Sequence, residues 1–558
     1  MTAAVARGGA TARDRALARL HRERFDLLVV GAGATGAGVA RDAALRGLSV
    51  ALVDHGDFAG ETSSRSSKLI HGGIRYLEYG DFPLVFEALR ERRNLMRTAP
   101  HLCRPIEFIF PAYRGESPGI GMLTAGVVLY NALALWRPPA RGRRLSPDET
   151  HALAPGLRSA DLRGALLYTD CQTDDARLVL ETALDAEDVG AVLAPRVTIT
   201  RLRRNRRGRV DGARARDRLS GDELDVEADV VVNATGPFSD AFDRGRHNLR
   251  PTLGVHLVFD AARLPHDGRA IVLRQASDKR IVFLLPAGPR TIVGTTDTDW
   301  TRPTADRGPP LPGDDIEARA PDVAYLLDIV NGAFPATALR PEDVISTYAG
   351  LRPLFATSAQ TPSSTSREHE IVVEGDGLLT IVGGKLTTHR AMAEQVVDRA
   401  VELLRARGRE GALAPCSTGW RPLPGGHEGP VSLGDIELAP DIEEHLRRTY
   451  GSRASSVASC MRDESAHADL SARIDADLPY VWAEVMHAAR YERVTAVEDV
   501  LRRRVPVFRD ARDQGLAAAP IAAAIVAELL AWSPEQRARS LAEYQAAVSR
   551  ARAWQRAI

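Results

Sequence analysis

The most constraining stretch lies near the start of the chain. Phe25 to Val30 reads FDLLVV, a short apolar run of β-forming residues, and leads into Gly31-Ala-Gly33-Ala-Thr-Gly36. Small residues continue through Arg46, and a second run, Leu48 to Val53, ends at Asp54, 18 residues after Gly36. Strand, glycine turn, helix and strand within about 30 residues make a dinucleotide-binding unit. Gly31 allows the tight turn, Gly33 lets backbone approach a pyrophosphate, and Gly36 permits close helix–strand packing. The helix N-terminus adds positive potential for the phosphates, and the Asp54 carboxylate can accept hydrogen bonds from a ribose. This unit predicts nucleotide binding but does not separate NAD from FAD.

The rest of the chain must house that unit. Its 558 residues suggest three or four domains at roughly 150 residues each, fewer if one is a large α/β unit. With 44% hydrophobic residues it can bury a sizeable core, which excludes disorder, collagen and a disulfide scaffold. Basic and acidic residues both number 73, so net charge gives no attraction to nucleic acid, and an anionic ligand must meet a local basic cluster. Cys103, Cys171, Cys416 and Cys460 lie far apart, with no histidine at ligand spacing, so no metal is expected and the compartment is read as reducing. Only Lys68, Lys279 and Lys385 are lysines; every other basic residue is arginine. Against that bias, a retained lysine hints at a need for a compact ammonium.

Residues 1–23 are Ala/Arg-rich, broken by charge, and read as a disordered tail without a signal-peptide core. Ser117 to Trp136 runs twenty residues without a charge and is followed by Arg137, Arg141, Arg143 and Arg144. Three readings are open for it: a membrane span, a buried helix, or an interfacial helix touching lipid. Glycines, Pro118 and Asn131 break the run and speak against a span. Further along, Asp174 to Gly190 reads as a helix and Ala191 to Ile199 as a strand. Val230 to Asn233 reads as a buried strand running into Ala234-Thr235-Gly236, and Arg250 to Tyr348 as an antiparallel sheet. Leu378 to Val382 forms a strand ahead of Gly383-Gly384-Lys385 and a helix. Beyond the loop 416–432, residues 433–558 are almost wholly helical by pattern, with Pro520 placed at a helix start.

A polar, glycine-bearing stretch, Thr62 to Glu78 (TSSRSSKLIHGGIRYLE), follows the second strand, and a late IVGGKLTTHR places a second Gly-Gly at a helix start. Together they resemble the two-dinucleotide-binding FAD fold, and more narrowly the FAD-dependent, quinone-linked glycerol-3-phosphate dehydrogenase family. Further marks are DDARL from Asp174, VVNATGP from Val231, GVHLV from Gly254, KRIVF from Lys279, GTTDTD from Gly294 and YAGLRPL from Tyr348. SRE from Ser366, GGKLTTHR from Gly383 and the helical tail Ala483 to Arg504 complete the set. The resemblance runs from about Phe25 to the C-terminus.

The resemblance implies a mixed α/β architecture. An FAD domain would be assembled from about 24–100, 172–250 and 345–410, with an antiparallel-sheet substrate region from about 101–171 and 251–344 and a C-terminal helical domain. It implies FAD contacts at Gly31, Gly33, Gly36, Asp54, Thr62, Ser63, Ser64, Ser67, Lys68, His71, Gly72, Val197, Ala234, Thr235, Gly236, Gly384, Lys385, Leu386 and Thr387. His71 reads equally as a flavin neighbour or as the partner of a loop carbonyl. A small phosphorylated alcohol needs about two cationic contacts; Arg75, Arg352, Arg367 and Lys385 would converge on it, beside Tyr76. His256 has a pKa suited to taking the alcohol proton as hydride leaves carbon, with Arg352 and Lys385 completing the catalytic set; its alternative is a satisfied core histidine. The chain departs from the family at Leu253, where a basic residue usually precedes Gly-x-His, which removes one expected charge near the site. Asp54 stands where Glu is more usual.

The implied reaction oxidises sn-glycerol 3-phosphate to dihydroxyacetone phosphate, with electrons leaving to a membrane quinone through peripheral contact at the cytoplasmic face. Assembly as a homodimer is left open. Competing readings are an oxidase that uses oxygen and a flavin-binding protein without catalysis, the latter resting on Leu253 alone.

Overall fold

The structure, a computed structural model, describes residues 9–557 apart from 75, 76, 78, 79, 136–141, 243–248, 276–279, 302–309, 315, 356–368, 428, 430 and 431. Two sheets carry the fold. The first runs in the order His369–Val373, Leu379–Gly383, Glu223–Asn233, Arg24–Val30, Val50–Val53 and Val192–Ala194. Its four inner strand pairings are parallel, while His369–Val373 lies antiparallel at the edge. Where both faces are covered, the inner strands are apolar runs, Leu27 to Val30, Val50–Val53 and Val230 to Val232. Helices Ala34–Leu45, Asp175–Asp188 and His389–Ala406 pack on one face around Leu27, Val29, Val179 and Val396.

The other face is covered by an antiparallel pair, Val197–Arg204 with Val210–Asp217, and by an N-terminal helix, Gly9–Arg22. That helix corrects the expectation of a disordered tail over residues 9–22; residues 1–8 lie outside the described residues. Ala12, Ala16 and Leu20 recur every four positions and are buried, and buried Arg13 pairs with Asp217 at 2.5 Å. A stripe this narrow, among so many arginines, does not stand out in the composition.

The second sheet has ten strands and takes its members from both expected substrate segments. Arg104–Tyr113 and Leu162–Gln172 come from the first, and Leu249–Asp260, Ala270–Arg274, Ile281–Ala287 and Arg290–Gly294 from the second. Pairing is antiparallel except where Ala270 and Ile271 meet Phe108 and Ile109. Ser346–Phe355, expected in the FAD domain, instead pairs along its length with Leu249–Asp260. The late FAD segment therefore begins past that strand. The same strand also carries Arg352, which lines a cavity together with Gly384 and Lys385 at the end of Leu379–Gly383, so the two sheets meet there.

The C-terminal helices enclose their own apolar core around Leu446, Tyr450, Val485, Val500 and Ile525. The loop 416–432 ahead of them is held against the body of the protein: Arg97 donates to Gly419 O at 2.7 Å, and Arg390 to Thr418 Oγ1 at 3.1 Å. The charge-free run near residue 120 forms the helix Ile120–Leu133. Leu123, Val127 and Tyr130 are buried, while Met122, Val128 and Leu129 face outward, Met122 being 62% exposed. Among the described residues no helix is long and apolar enough to cross a membrane.

Candidate active site

The first glycine turn is built as its spacing predicts. Gly31 has φ +100°, and a Cβ there would lie 2.6 Å from Ala234 O. A Cβ on Gly36 would fall 1.8 Å from Gly31 O, so any side chain would part the helix from the turn. Asp54 closes the unit from below, accepting from Ala32 N–H at 2.6 Å and Gly56 N–H at 2.7 Å. Burial raises its carboxyl, but His55 and these N–H groups outweigh that and hold it below the usual range.

A cavity of about 400 Å³ opens over this turn. Gly31, Gly33, Asp54, Thr62, Ser63, Val197, Ala234, Thr235, Gly236, Gly384, Lys385 and Leu386 line it. It extends from the ribose-facing end of the first unit to the second Gly-Gly, with backbone approach at both ends. Gly384 takes φ +88°, a backbone conformation that favours glycine, and a Cβ there would also press on the Met392 thioether at 2.4 Å. The shape and the two glycine cradles fit a dinucleotide with a long second half.

At its Gly384–Lys385 end this cavity joins a second one of about 180 Å³, and both share Thr62, Ser66, Pro353 and Leu386. Ser67, His71, Gly254, His256, Arg352 and Thr387 line the second cavity. Ser67, Leu69, His71 and Arg352 also line a third, of about 140 Å³, walled by Phe108, Phe110, Tyr168 and Phe283. The three form one trough, from nucleotide turn to aromatic pocket.

His256 sits on Leu249–Asp260, 1% exposed. Its Nε2 lies 2.9 Å from Ser67 Oγ, and its ring stacks on Tyr348 at 4.6 Å and 10°. Burial first, then the charges of Arg352 and Lys68, push its pKa well below the ordinary value, so the imidazole is neutral. Arg352 donates to Thr295 Oγ1 at 2.9 Å and Asp297 Oδ1 at 3.2 Å. Its guanidinium lies flat on Gly254, where a Cβ would come within 2.5 Å of Nη2. Strand alternation puts Gly254 and His256 on the cavity side, and Leu253 and Val255 in the opposite core. This corrects the reading of Leu253: its side chain points away from the site, so the position takes no charge from it.

Four expected contacts are placed elsewhere. Lys68 is buried and paired with Asp175, donating also to Ser64 O at 3.3 Å, which removes it from the cofactor set. Ser64 faces a small cavity under Arg502, Arg503 and Arg509. Gly36 packs behind Gly31, and Gly72 turns away from the trough onto Tyr130. His71 lines both inner cavities, and its backbone N–H donates to Thr387 Oγ1 at 3.1 Å. Arg75, Tyr76 and Arg367 lie outside the described residues.

Sequence reasoning missed the groups that hold this site in place. Asp175 accepts from Ser66 N–H at 3.0 Å and Ser66 Oγ at 2.7 Å, fixing the serine stretch; its only sequence signal was DDARL. Tyr348, Thr295 and Asp297 lay inside quoted motifs but carried no assigned role. Asp57, clamped by Arg503 at 2.5 Å and by Arg504, had no signal at all.

The family described as FAD dependent oxidoreductase matches residues 26–399, and the C-terminal domain of alpha-glycerophosphate oxidase matches residues 416–537. Glycerol-3-phosphate dehydrogenase 2 of Mycobacterium tuberculosis is 37% identical over 97% of this chain and 91% of its own length. The aerobic glycerol-3-phosphate dehydrogenase of Staphylococcus aureus is 32% identical over 97% of both. Among solved structures, glycerol-3-phosphate dehydrogenase from Bacillus halodurans complexed with FAD superposes with a TM-score of 0.76 at 28% identity. That match covers 97% of this chain and 98% of the other.

Proposed function

This chain belongs to the FAD-dependent glycerol-3-phosphate dehydrogenases, and from that premise we propose how its own residues run the reaction. The enzyme oxidises sn-glycerol 3-phosphate to dihydroxyacetone phosphate, and bound FAD supplies the acceptor for the hydride leaving C2. The 400 Å³ cavity would hold the cofactor, with Gly31, Gly33 and the N-terminus of Ala34–Leu45 at the pyrophosphate and Asp54 on the ribose side. Thr62, Ser63, Gly384, Lys385 and Leu386 would flank its second half.

Arg352 and Lys385 hold the substrate phosphate, a charge-assisted fork beside a point charge. Arg75, Tyr76 and Arg367 belong to the same proposed set. His256 takes the hydroxyl proton at Nε2, the ring nitrogen on the Ser67 side. A base must be neutral before it can accept, and burial together with two neighbouring cations keeps this one so. The observation that carries the reading is the meeting of His256, Arg352, Lys385 and His71 around one cavity. The test is anaerobic mixing of the flavin-loaded protein with glycerol 3-phosphate, glycerol or a 2-hydroxy acid. Stoichiometric bleaching by glycerol 3-phosphate alone is expected; bleaching by glycerol with equal efficiency overturns the phosphate site.

The electron acceptor is a membrane quinone, reached at the cytoplasmic face. What supports this is an apolar outer surface made by Phe82 and Phe86 on one helix and Met122, Val128 and Leu129 on the neighbouring one. Exposed Arg143 and Arg144 stand just beyond it in the chain. Steady-state turnover with a quinone analogue and without peroxide release is expected; stoichiometric peroxide would make the enzyme an oxidase.

A further inference from the structure

The segment from His71 to Gly73 runs along the wall of the two inner cavities: His71 lines both, Gly73 and Ile74 line the aromatic one, and Gly72 backs the wall from behind. The wall is held at two points. At His71 the holder is Thr387, which receives the His71 N–H at 3.1 Å and donates back to His71 O at 3.2 Å. At Gly72 it is a carboxylate that no motif singled out. Asp170 Oδ1 accepts from Gly72 N–H at 3.2 Å and from Arg92 Nη1 at 2.6 Å, and Oδ2 accepts from Tyr130 Oη at 2.7 Å. The residue is 2% exposed, and its partner Arg92 is buried with it.

The seat leaves no slack. A Cβ on Gly72 would lie 2.3 Å from Tyr130 Oη and 2.5 Å from Leu89 Cδ2, so the wall rests directly on the helices Phe82–Thr98 and Ile120–Leu133. A buried ion pair adds little net stability over apolar packing of the same volume, so packing alone does not explain a carboxylate here. Its geometry does offer something apolar packing lacks, a directional acceptor for a backbone N–H in the wall of the site.

We propose that Asp170 is a positioning residue for the oxidation. It fixes the His71–Gly73 wall through the Gly72 N–H, while Arg92 and Tyr130 hold its own two oxygens in place. This rests on the reading of the inner cavities as the place where substrate meets flavin. Displacing such a wall by an ångström costs on the order of 10²-fold in rate.

The test compares Asp170→Ala and Asp170→Asn in the flavin-loaded full chain. The readouts are anaerobic bleaching by saturating glycerol 3-phosphate and amide hydrogen exchange of residues 69–74. The alanine variant is expected to retain flavin, bleach about 10- to 100-fold more slowly and exchange faster over 69–74. Asparagine keeps an oxygen for the Gly72 N–H and should recover most of the lost rate. Parent-like bleaching in Asp170→Ala overturns the proposal, as does an asparagine variant no better than alanine. If alanine does not hold flavin, Tyr130→Phe removes one of the bonds that orient the carboxylate. Unchanged exchange over 69–74 in that variant overturns the proposal too. A parent enzyme that glycerol 3-phosphate does not bleach defeats the substrate reading instead, and leaves the exchange comparison to judge Asp170.

Discussion

Arg352→Lys is the substitution that bears hardest on the proposed site, because it keeps the charge and removes only the fork. In the structure the guanidinium lies flat on Gly254, one nitrogen on Thr295 Oγ1 and one on Asp297 Oδ1. Those two bonds fix its plane, and Gly254 leaves room for it. A lysine ammonium reaching the same place has no plane to set on Gly254 and cannot satisfy both holders while gripping phosphate. One charge-assisted hydrogen bond to the substrate is then lost, a cost of about 1.5–3 kcal/mol, which is about 10- to 150-fold in kcat/KM. The loss should fall mainly on KM, because the phosphate is bound in ground and transition states alike. Dye-linked steady-state assays over a range of glycerol 3-phosphate concentrations measure it. A variant within threefold of the parent in kcat/KM would refute the assignment of Arg352 to phosphate.

Other expectations follow from the same geometry. His256→Gln should retain flavin yet bleach about 10²- to 10⁴-fold more slowly at neutral pH, the usual worth of a general base; rapid-mixing absorbance reads it, and a loss under fivefold removes His256 from the base role. Asp57→Ala leaves buried Arg504 without its carboxylate and takes one of two close carboxylates from Arg503, which keeps Asp499; it should cost about 3–5 kcal/mol, lowering the unfolding midpoint of the helical domain by about 6–20 °C. Calorimetry checks this, and an unchanged midpoint counts against the clamp. Burial, helped by nearby arginines, pushes His101 down to about 4, and burial outweighing Glu492 takes His487 to about 3. The unfolded chain binds their protons at a higher pH than the fold does, so their contribution is complete above about pH 6.5 and is lost as pH falls toward 4. Unfolding midpoints measured from pH 7.5 to 4.5 should therefore decline, and His101→Asn should flatten the decline; a flat parent profile contradicts the neutral-histidine picture.

What the sequence disclosed, it disclosed through local geometry. Gly31, Gly33 and Gly36 act on their immediate neighbours, so spacing alone located the turn, and Asp54 followed from the strand that ends there. Leu253 was misjudged because motif position was weighed without strand alternation, which turns Gly254 and His256 one way and Leu253 the other. Lys68 was misjudged for a different reason. Rarity among arginines marks a place that wants an ammonium, but it does not tell a ligand from a buried carboxylate, and Asp175 is 107 positions away. Ser346–Phe355 fell on the wrong side of a domain boundary because its strand pairs with one sheet while its Arg352 and Pro353 face a cavity shared with the other.

The residues hidden from sequence are the ones that join separate parts of the chain. Asp57 follows the strand that carries Asp54, yet its partners stand at 503 and 504 in the helical domain. Arg196 repeats the arrangement from the other side: its N–H donates to Gly56 O at 2.8 Å, and its side chain reaches Asp499 Oδ1 at 2.8 Å. Both links converge on the short loop after Asp54, and its neighbours His55 and Val197 line the nucleotide cavity. The helical domain therefore braces the wall of that cavity and is more than an appended bundle. Two guanidiniums on one carboxylate make directional, charge-assisted bonds that fix the orientation of the loop relative to the helices. Separating the two domains would take Arg503 and Arg504 from Asp57 and Asp499 from Arg196, and would loosen the loop after Asp54, so cofactor retention and helical-domain folding are expected to rise and fall together.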